Sequence, residues 1–180
     1  LTHGWPSTFI ELLSLVDRLG NRFDLVAPSL PGYAFSQRPS HGVDRAFVAR
    51  LWHRLMQGRG YERYGAHGGD FGAGVATYMA LSQPDRVIGI HLSTPEMWPY
   101  TGAGAPPLSV EEQSYLDHVA RWEETERGYS AVQSTRPQTV GYGLNDSPAG
   151  LAAWVLDKWR SWSDSGGDLD GRFGRDALLT

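Results

Sequence analysis

The sequence predicts an α/β fold, in which a parallel sheet carries flanking helices and is joined to a second, helical part. Up to residue 94, short apolar stretches typical of buried strands alternate with helical segments, which favours a parallel sheet with helices on both faces. From residue 95 onward the apolar residues keep helical spacing. Glycine-rich or polar turns follow the predicted strands, and such turns meet at one edge of a parallel sheet, where ligands bind.

The first part, residues 1–94, is predicted to run in the order β-α-β-α-β-α-β. Pro6 or Ser7 is placed to start the first helix, and Gly20 is placed to end it. The strands are expected at residues 1–4, 23–28, 64–67 and 87–92, and the helices at residues 7–19, 43–56 and 71–81.

The second part, residues 95–180, is predicted to form a helical cap, incomplete at its C-terminal end, over that edge of the sheet. A capping box opens its first helix and a Ser-Pro pair opens a later one, at Ser109–Glu112 and Ser147–Pro148. Gly128 is expected to break the first helix before a loop. The Gly- and Asp-rich stretch 164–176 is predicted to be a solvated loop.

The stretch Gly68-Gly69-Asp70-Phe71-Gly72 has the spacing of a nucleophile elbow, with aspartate where the better-known version has serine. Such an elbow presents its central side chain beside a helix N-terminus, where an anion is favoured. The Asp70 carboxylate is ionised near neutral pH and can attack an electrophilic carbon to form an ester. The alternative is a glycine-rich turn whose aspartate only caps the following helix.

A second motif, His3-Gly4-Trp5-Pro6, follows the first predicted strand. In hydrolases with an elbow, the oxyanion hole takes one N–H from this kind of loop and one from the residue after the nucleophile. Those N–H groups belong here to Trp5 and Phe71. The alternative is an ordinary β-to-α turn, with Trp5 packed in the core.

Composition excludes several function classes. The 180 residues carry a formal net charge of −4 and contain no cysteine, so disulfides, thiol nucleophiles and Cys-ligated metals are excluded, and no basic run favours nucleic acid. No histidine spacing typical of zinc sites and no nucleotide-binding glycine motif occurs, so neither metal nor cofactor is predicted. We expect an internal piece of a longer cytoplasmic protein, in which any membrane anchor would precede Leu1.

Together these residues resemble the epoxide hydrolases of the α/β-hydrolase fold, in particular the microsomal-type branch. The resemblance covers most of the chain, and its longest stretch is also the most specific. The matching residues are His3-Gly4-Trp5-Pro6, Pro28-Ser29-Leu30-Pro31-Gly32-Tyr33, Gly68-Gly69-Asp70-Phe71-Gly72, and Gly128-Tyr129 through Ser134-Thr135-Arg136-Pro137 to Asp146-Ser147-Pro148-Ala149-Gly150-Leu151.

The resemblance implies a two-step hydrolysis of a small hydrophobic epoxide by water. Asp70 would open the ring and form a covalent ester, while Tyr129, one of two tyrosines in the cap, would protonate the epoxide oxygen. The N–H groups of Trp5 and Phe71 would stabilise the oxyanion as the ester is hydrolysed to a diol. A histidine paired with an acid would activate the water.

Two features depart from the family pattern. Phe71 stands where the family usually has tryptophan, which leaves the backbone N–H intact, and His67 stands where this branch often has glutamine; we expect His67 to be packed in the structure. The histidine and acid follow the cap in such folds, but no histidine here lies beyond His118. We therefore expect the isolated 180 residues not to turn over.

Two other functions stay open on the residues alone. A haloalkane or haloacid dehalogenase also uses an aspartate elbow, although it needs a donor for the departing halide, and the Phe71 ring has none. A non-catalytic relative that acts as a binding module is the other alternative. A serine esterase is excluded because Asp70 occupies the nucleophile position.

Overall fold

A computed structural model describes residues 1–95 and 97–179 of the chain. The chain divides into two compact units, Leu1–Trp98 and Pro99–Thr180. The sheet belongs to the first unit, and the described residues of the second unit contain helices and no strand.

The first unit is built around two parallel strands with a helix between them. Its elements are a 3-10 turn (Phe9–Leu12) that continues into α1 (Leu13–Leu19), then α2 (Arg45–Gly58), β1 (Tyr64–Gly69), α3 (Phe71–Ser82) and β2 (Val87–Ser93). β1 and β2 pair in parallel, with His67 opposite His91, and α3 provides the crossover that such a pair requires. The Thr8 hydroxyl accepts the Ile10 N–H at 3.3 Å, so the first helical turn begins after Pro6 and Ser7.

The hydrophobic core of this unit connects β1, α2, α3 and β2. Its buried members are Leu30, Val48, Ala49, Tyr64, Val75, Met79 and Val87. The first half of α3 is made of small buried residues, among them Gly72, Ala73 and Ala76. Because burial of apolar surface stabilises a fold by about 25 cal/mol per Å², this core holds the start of α3 firmly at the end of β1.

The first two predicted strands do not form regular strands among the described residues. The Leu1 amino group donates to the Val26 carbonyl at 2.8 Å. The Thr2 N–H donates to the His67 carbonyl at 2.8 Å, and Thr2 forms an isolated parallel bridge with Gly68. A strand requires repeated hydrogen bonds along a ladder, and among the described residues Leu1 and Thr2 form an isolated bridge and no ladder. The apolar pattern therefore identified segments that lie beside the sheet but overestimated its regular extent.

The second unit is a succession of helices. They are α4 (Val110–Glu126), α5 (Gly128–Thr135), α6 (Pro137–Asp146), α7 (Pro148–Trp162), α8 (Leu169–Phe173) and α9 (Arg175–Leu179). The predicted capping box is confirmed: the Glu112 N–H donates to the Ser109 hydroxyl at 3.1 Å, and the Ser109 N–H donates to the Glu112 carboxylate at 2.7 Å. The Ser-Pro start of α7 is confirmed as well, because the Gly150 N–H donates to the Ser147 hydroxyl at 3.0 Å.

The two loops predicted in the second unit are wrong. The segment after Gly128 forms α5 and α6, because Arg127 keeps a helical backbone and Pro137 begins a new helix. The stretch 164–176 contains α8, whose Gly171 N–H donates to the Asp168 carboxylate at 3.0 Å. Proline is favoured at the first position of a helix, and glycine lowers the preference for helix by only about 1 kcal/mol, so neither residue prevents these helices.

The end of α4 is tied to α7 by one carboxylate. Lys158 Nζ donates to Glu126 Oε2 at 2.8 Å, and Trp162 Nε1–H donates to the same oxygen at 3.1 Å. The Lys158 and Glu126 side chains are about one fifth exposed, so solvent weakens this pair less than it weakens a fully exposed one.

Among the helices of the described residues, none is long and apolar enough to cross a membrane.

Candidate active site

Asp70 occupies a sharp turn between β1 and α3. Its backbone has φ 52° and ψ −123°, a positive φ that L-residues rarely adopt. Such a conformation costs on the order of 1–3 kcal/mol and is typical of functional sites. The turn is therefore a strained elbow with aspartate at its apex.

The glycines around Asp70 are required by close backbone contacts. A Cβ at Gly68 would overlap the Gly72 carbonyl, and a Cβ at Gly72 would overlap the Thr2 carbonyl. A Cβ at Gly69 would lie 2.8 Å from Ser93 Oγ. The G-x-D-x-G spacing thus reflects the close approach of β1, α3 and the chain around Thr2.

The Asp70 carboxylate is bound by the loop of the second motif. The Trp5 N–H donates to Asp70 Oδ1 at 2.7 Å, a short distance typical of a charge-assisted hydrogen bond. The carboxylate makes no side-chain cap hydrogen bond to α3, so the helix-cap alternative is wrong. A Cβ at Gly4 would lie 3.1 Å from Asp70 Cβ, a tight contact that glycine avoids.

His3 fixes the conformation of this loop from inside the protein. The ring is fully buried, and the Leu30 N–H donates to His3 Nε2 at 2.9 Å. Because Nε2 accepts, the neutral ring carries its proton on Nδ1, which donates to the Gly4 carbonyl at 2.8 Å. The Trp5–Pro6 peptide bond that follows is cis.

Tyr33 contacts two side chains of the same loop, those of His3 and Trp5. Its ring meets the His3 ring edge-on with centroids 5.9 Å apart. Burial raises the pKa of the Tyr33 phenol, and a side-chain hydrogen bond with Trp5 partly opposes that rise. Tyr33, the last residue of the Pro-Gly-Tyr stretch, is therefore hydrogen-bonded to the Trp5 side chain.

Glu11 binds the loop from the opposite side. Its Oε1 accepts the Gly4 N–H at 3.0 Å, and its Oε2 accepts the hydroxyl of Ser7. Sequence reasoning missed Glu11. The available signal was an acidic residue in the first turn of the helix after the His3–Pro6 motif.

Phe71 is the first residue of α3, and the first N–H groups of a helix have no acceptor within it. The backbone N–H predicted for the oxyanion hole is therefore one that α3 itself does not satisfy. The structure does not join it to Asp70 by a hydrogen bond. The Phe71 ring packs against the core, and the Arg45 guanidinium lies 5.3 Å from its centroid.

Tyr129 lies in α5 of the second unit. Its ring meets Trp162 edge-on, with centroids 5.3 Å apart, and Trp162 in turn lies 5.9 Å from Trp122. Glu126 holds the Trp162 indole, as described above. The role of Tyr129 as a proton donor stays a prediction, and the tryptophan that contacts it was not identified as its partner from the sequence.

His67 is not a base for Asp70. Its Nδ1 lies 2.9 Å from Nδ1 of His91 on the neighbouring strand, and no hydrogen bond joins it to Asp70. Burial lowers the pKa of His67, a hydrogen bond with the His91 backbone opposes this, and the charge of His91 adds to the lowering. Residues 1–95 and 97–179 contain no group of three or more His, Cys, Asp or Glu side chains placed to hold a metal ion.

A cavity of about 430 Å³ lies elsewhere in the first unit. Residues 22–26, α2 and β1 line it, and Trp5, Asp70 and Phe71 do not. Its walls contain no elbow or oxyanion donor. The candidate site is therefore defined by the geometry around Asp70, not by this cavity.

Comparison with known proteins identifies the family of this chain. The family model for the alpha/beta hydrolase fold matches residues 1–125. Over 99% of its length the chain is 42% identical to a Stigmatella aurantiaca protein whose name assigns it provisionally to the epoxide hydrolases. It is 38% identical to the juvenile hormone epoxide hydrolase of Bombyx mori over the same share of its length. The chain covers 43% and 44% of these two relatives, less than half their length.

A solved structure shows a similar arrangement. The crystal structure of juvenile hormone epoxide hydrolase from Bombyx mori superposes with a TM-score of 0.75 at 32% identity. The superposition covers 99% of this chain and 48% of that one.

Proposed function

Because this chain belongs to the α/β-hydrolase fold family, we propose that its elbow aspartate is the nucleophile of an epoxide hydrolase. The observation that carries the proposal is the strained Asp70, whose carboxylate accepts the Trp5 N–H at 2.7 Å. The names of the similar proteins support the reaction class. The substrate class would be a small hydrophobic epoxide.

The first step would be ester formation. With Oδ1 held by Trp5, the other oxygen of Asp70 is the one that attacks a ring carbon. As the new C–O bond forms, the epoxide C–O bond breaks and its electron pair stays on the oxygen. Tyr129 would donate a proton to that oxygen, because an alkoxide is a poor leaving group without a general acid. The products are a covalent ester on Asp70 and an adjacent hydroxyl.

The second step would be hydrolysis of the ester by water. Attack at the ester carbonyl produces an oxyanion, which the N–H groups of Trp5 and Phe71 would stabilise. Activation of the water requires a base. None of the six histidines lies beyond residue 118, and we propose that these 180 residues form the ester without completing this step.

Intact-mass spectrometry of the 180-residue chain, after exposure to an aryl epoxide, tests the proposal. We expect a mass gain equal to the whole epoxide, located at Asp70 by peptide mapping. Asp70→Asn should abolish the gain, because the amide is a far weaker nucleophile but still tolerates a positive φ. The matched control is Asp17→Asn, which removes an exposed carboxylate on α1 and should keep the adduct.

Other results would assign the chain to another class. An adduct with a chloroalkane, in the absence of one with the epoxide, would indicate a dehalogenase. No adduct with either reagent, in protein shown to be folded by circular dichroism, would indicate a non-catalytic relative.

A further inference from the structure

Glu11 holds the loop that contacts the proposed nucleophile. We propose that Glu11 is a positioning residue, which fixes the Gly4–Trp5 peptide so that the Trp5 N–H orients Asp70. The inference rests on the proposed ester-forming role of Asp70. It assigns a function to a carboxylate that belongs to neither motif.

Both oxygens of Glu11 are engaged by the loop. Oε1 accepts the Gly4 N–H at 3.0 Å, and Oε2 accepts the Ser7 hydroxyl. Hydrogen bonds to an ionised carboxylate are stronger than those between neutral groups. Two of them from one short segment define the orientation of that segment better than either alone.

Gly4 explains why the loop needs this restraint. A Cβ there would lie 3.1 Å from Asp70 Cβ, so a larger residue would push Asp70 or the loop aside. Glycine has the greatest backbone freedom of any residue, so hydrogen bonds must supply what sterics cannot. His3 Nδ1–H holds the Gly4 carbonyl at 2.8 Å, and Glu11 holds the Gly4 N–H on the other side.

The restraint acts on Asp70 through the next peptide. The Gly4 carbonyl and the Trp5 N–H belong to one planar unit, so rotation of that unit moves the donor away from Asp70 Oδ1. Without the Trp5 N–H as a donor, the Asp70 carboxylate could rotate about its side-chain bond. Misplacement of a reacting group by about 1 Å can cost on the order of 100-fold in rate. Glu11 is exposed, so water can replace it in part, and we expect a loss of about tenfold.

The test compares the limiting rate of ester formation in the 180-residue chain, measured by intact mass over a range of aryl epoxide concentrations. Glu11→Ala should lower the limiting rate about tenfold and leave the half-saturating concentration nearly unchanged. Glu11→Gln should recover most of the rate, because its Oε1 still accepts the Gly4 N–H. The matched control is Thr8→Ala. It removes the Thr8 hydroxyl, which caps the same helical turn by accepting the Ile10 N–H, and it should keep the wild-type rate.

A second measurement does not depend on epoxide chemistry. The ¹H–¹⁵N resonance of the Trp5 amide reports its hydrogen bond to Asp70. We expect Glu11→Ala to shift this resonance in the direction of Asp70→Asn, and Glu11→Gln to leave it in place. If the wild-type chain forms no adduct, the proposed function fails, and the Trp5 resonance still decides the role of Glu11.

The proposal would be overturned by any of three results. One is an unchanged limiting rate and an unchanged Trp5 resonance in Glu11→Ala. Another is a loss in Thr8→Ala as large as that in Glu11→Ala, which would assign the effect to the helical turn as a whole. The third is a failure of Glu11→Gln to recover the rate.

Discussion

At the scale of single residues, Asp70 combines an unfavourable backbone conformation with a strong hydrogen bond. Its φ of 52° is held because Gly68 and Gly72 allow the chains on either side to approach closely. The strain places the carboxylate at the Trp5 N–H and away from the helix N–H groups that it would otherwise cap. The same glycines that permit the elbow therefore also make it sensitive to substitution.

The first prediction concerns Gly72. Gly72→Ala should lower the free energy of unfolding of the first unit by about 1–3 kcal/mol, the range typical of overpacking. The reason is that the new Cβ overlaps the Thr2 and His3 carbonyls. Thermal unfolding followed by circular dichroism measures the change. The matched control is Gly89→Ala in β2, where the Cβ would meet no atom within 4 Å, and its Tm should stay near that of the wild type. Equal Tm values for the two variants would contradict the close packing of the elbow.

Residues differ in how well the sequence predicts their positions. The spacing of Gly68, Asp70 and Gly72 predicts an elbow, and the structure confirms the turn. The contact between Trp5 and Asp70 was expected only from the shared edge of the sheet. For Glu11 the sequence offers only its place in the first helical turn, because its partner is a backbone N–H, which every residue type except proline carries.

At the scale of elements, one buried histidine ties together α2, β1 and α3. His53 on α2 is almost fully buried, and its Nδ1 pairs with the Tyr64 hydroxyl of β1. Its Nε2 lies 3.1 Å from the Ser82 hydroxyl at the end of α3. Burial lowers the pKa of His53, a hydrogen bond with the Met79 backbone opposes this, and the charge of Arg86 adds to the lowering.

This arrangement predicts a pH-dependent stability. An unfolded histidine has a pKa of about 6.5, while the folded value is lower, so the unfolded state binds more protons between the two values. The free energy of unfolding should therefore be highest above pH of about 6.5 and should decrease as the pH falls through that range. Urea unfolding between neutral and mildly acidic pH measures this slope.

The variant His53→Gln should flatten the slope, because glutamine does not titrate. His41→Gln is the matched control, since His41 is exposed, and it should keep the wild-type slope. Part of the slope should persist in His53→Gln, because burial also lowers the pKa of His67. An unchanged slope in His53→Gln would show that His53 is not the group responsible.

Side-chain caps predict the starts of two helices in the second unit. The capping box at Ser109 and the Ser-Pro pair at Ser147 predict the starts of α4 and α7 correctly. Gly128 is predicted to end a helix before a loop; α4 does end at Glu126, but Gly128 opens α5 in place of the loop. A side-chain cap is a specific hydrogen bond, whereas a glycine only lowers the preference for helix by about 1 kcal/mol, which packing can overcome.

At the scale of the whole molecule, the proposed reaction depends on residues from two units. Asp70 and Trp5 belong to the first unit, and Tyr129 to the second. The Tyr129 ring packs against Trp162, which Glu126 and Lys158 hold in turn. The nucleophile and the proposed proton donor are thus each supported by contacts within their own unit.

The prediction at this scale is a single turnover. The 180-residue chain should accumulate at most one ester for each molecule of protein, and diol release should not exceed that amount, since no histidine follows residue 118. Chromatographic measurement of diol, together with intact mass over the same time course, checks this. The Asp70→Asn variant should form neither product. Continued release of diol, many molecules for each chain, would contradict the prediction.

The amino-acid sequence is enough to predict the alternation of strand and helix, the elbow at Asp70 and the helical nature of the second unit. These depend on local spacing, since periodicity and caps act over a few residues. Tertiary structure alone decided how far the sheet extends, that Asp70 binds Trp5 instead of capping α3, and that Glu11 and His3 hold the loop between them. Each of those contacts involves a backbone N–H or carbonyl, or joins residues that are far apart in the sequence. Residue type does not encode such partners, because every backbone offers nearly the same donor and acceptor.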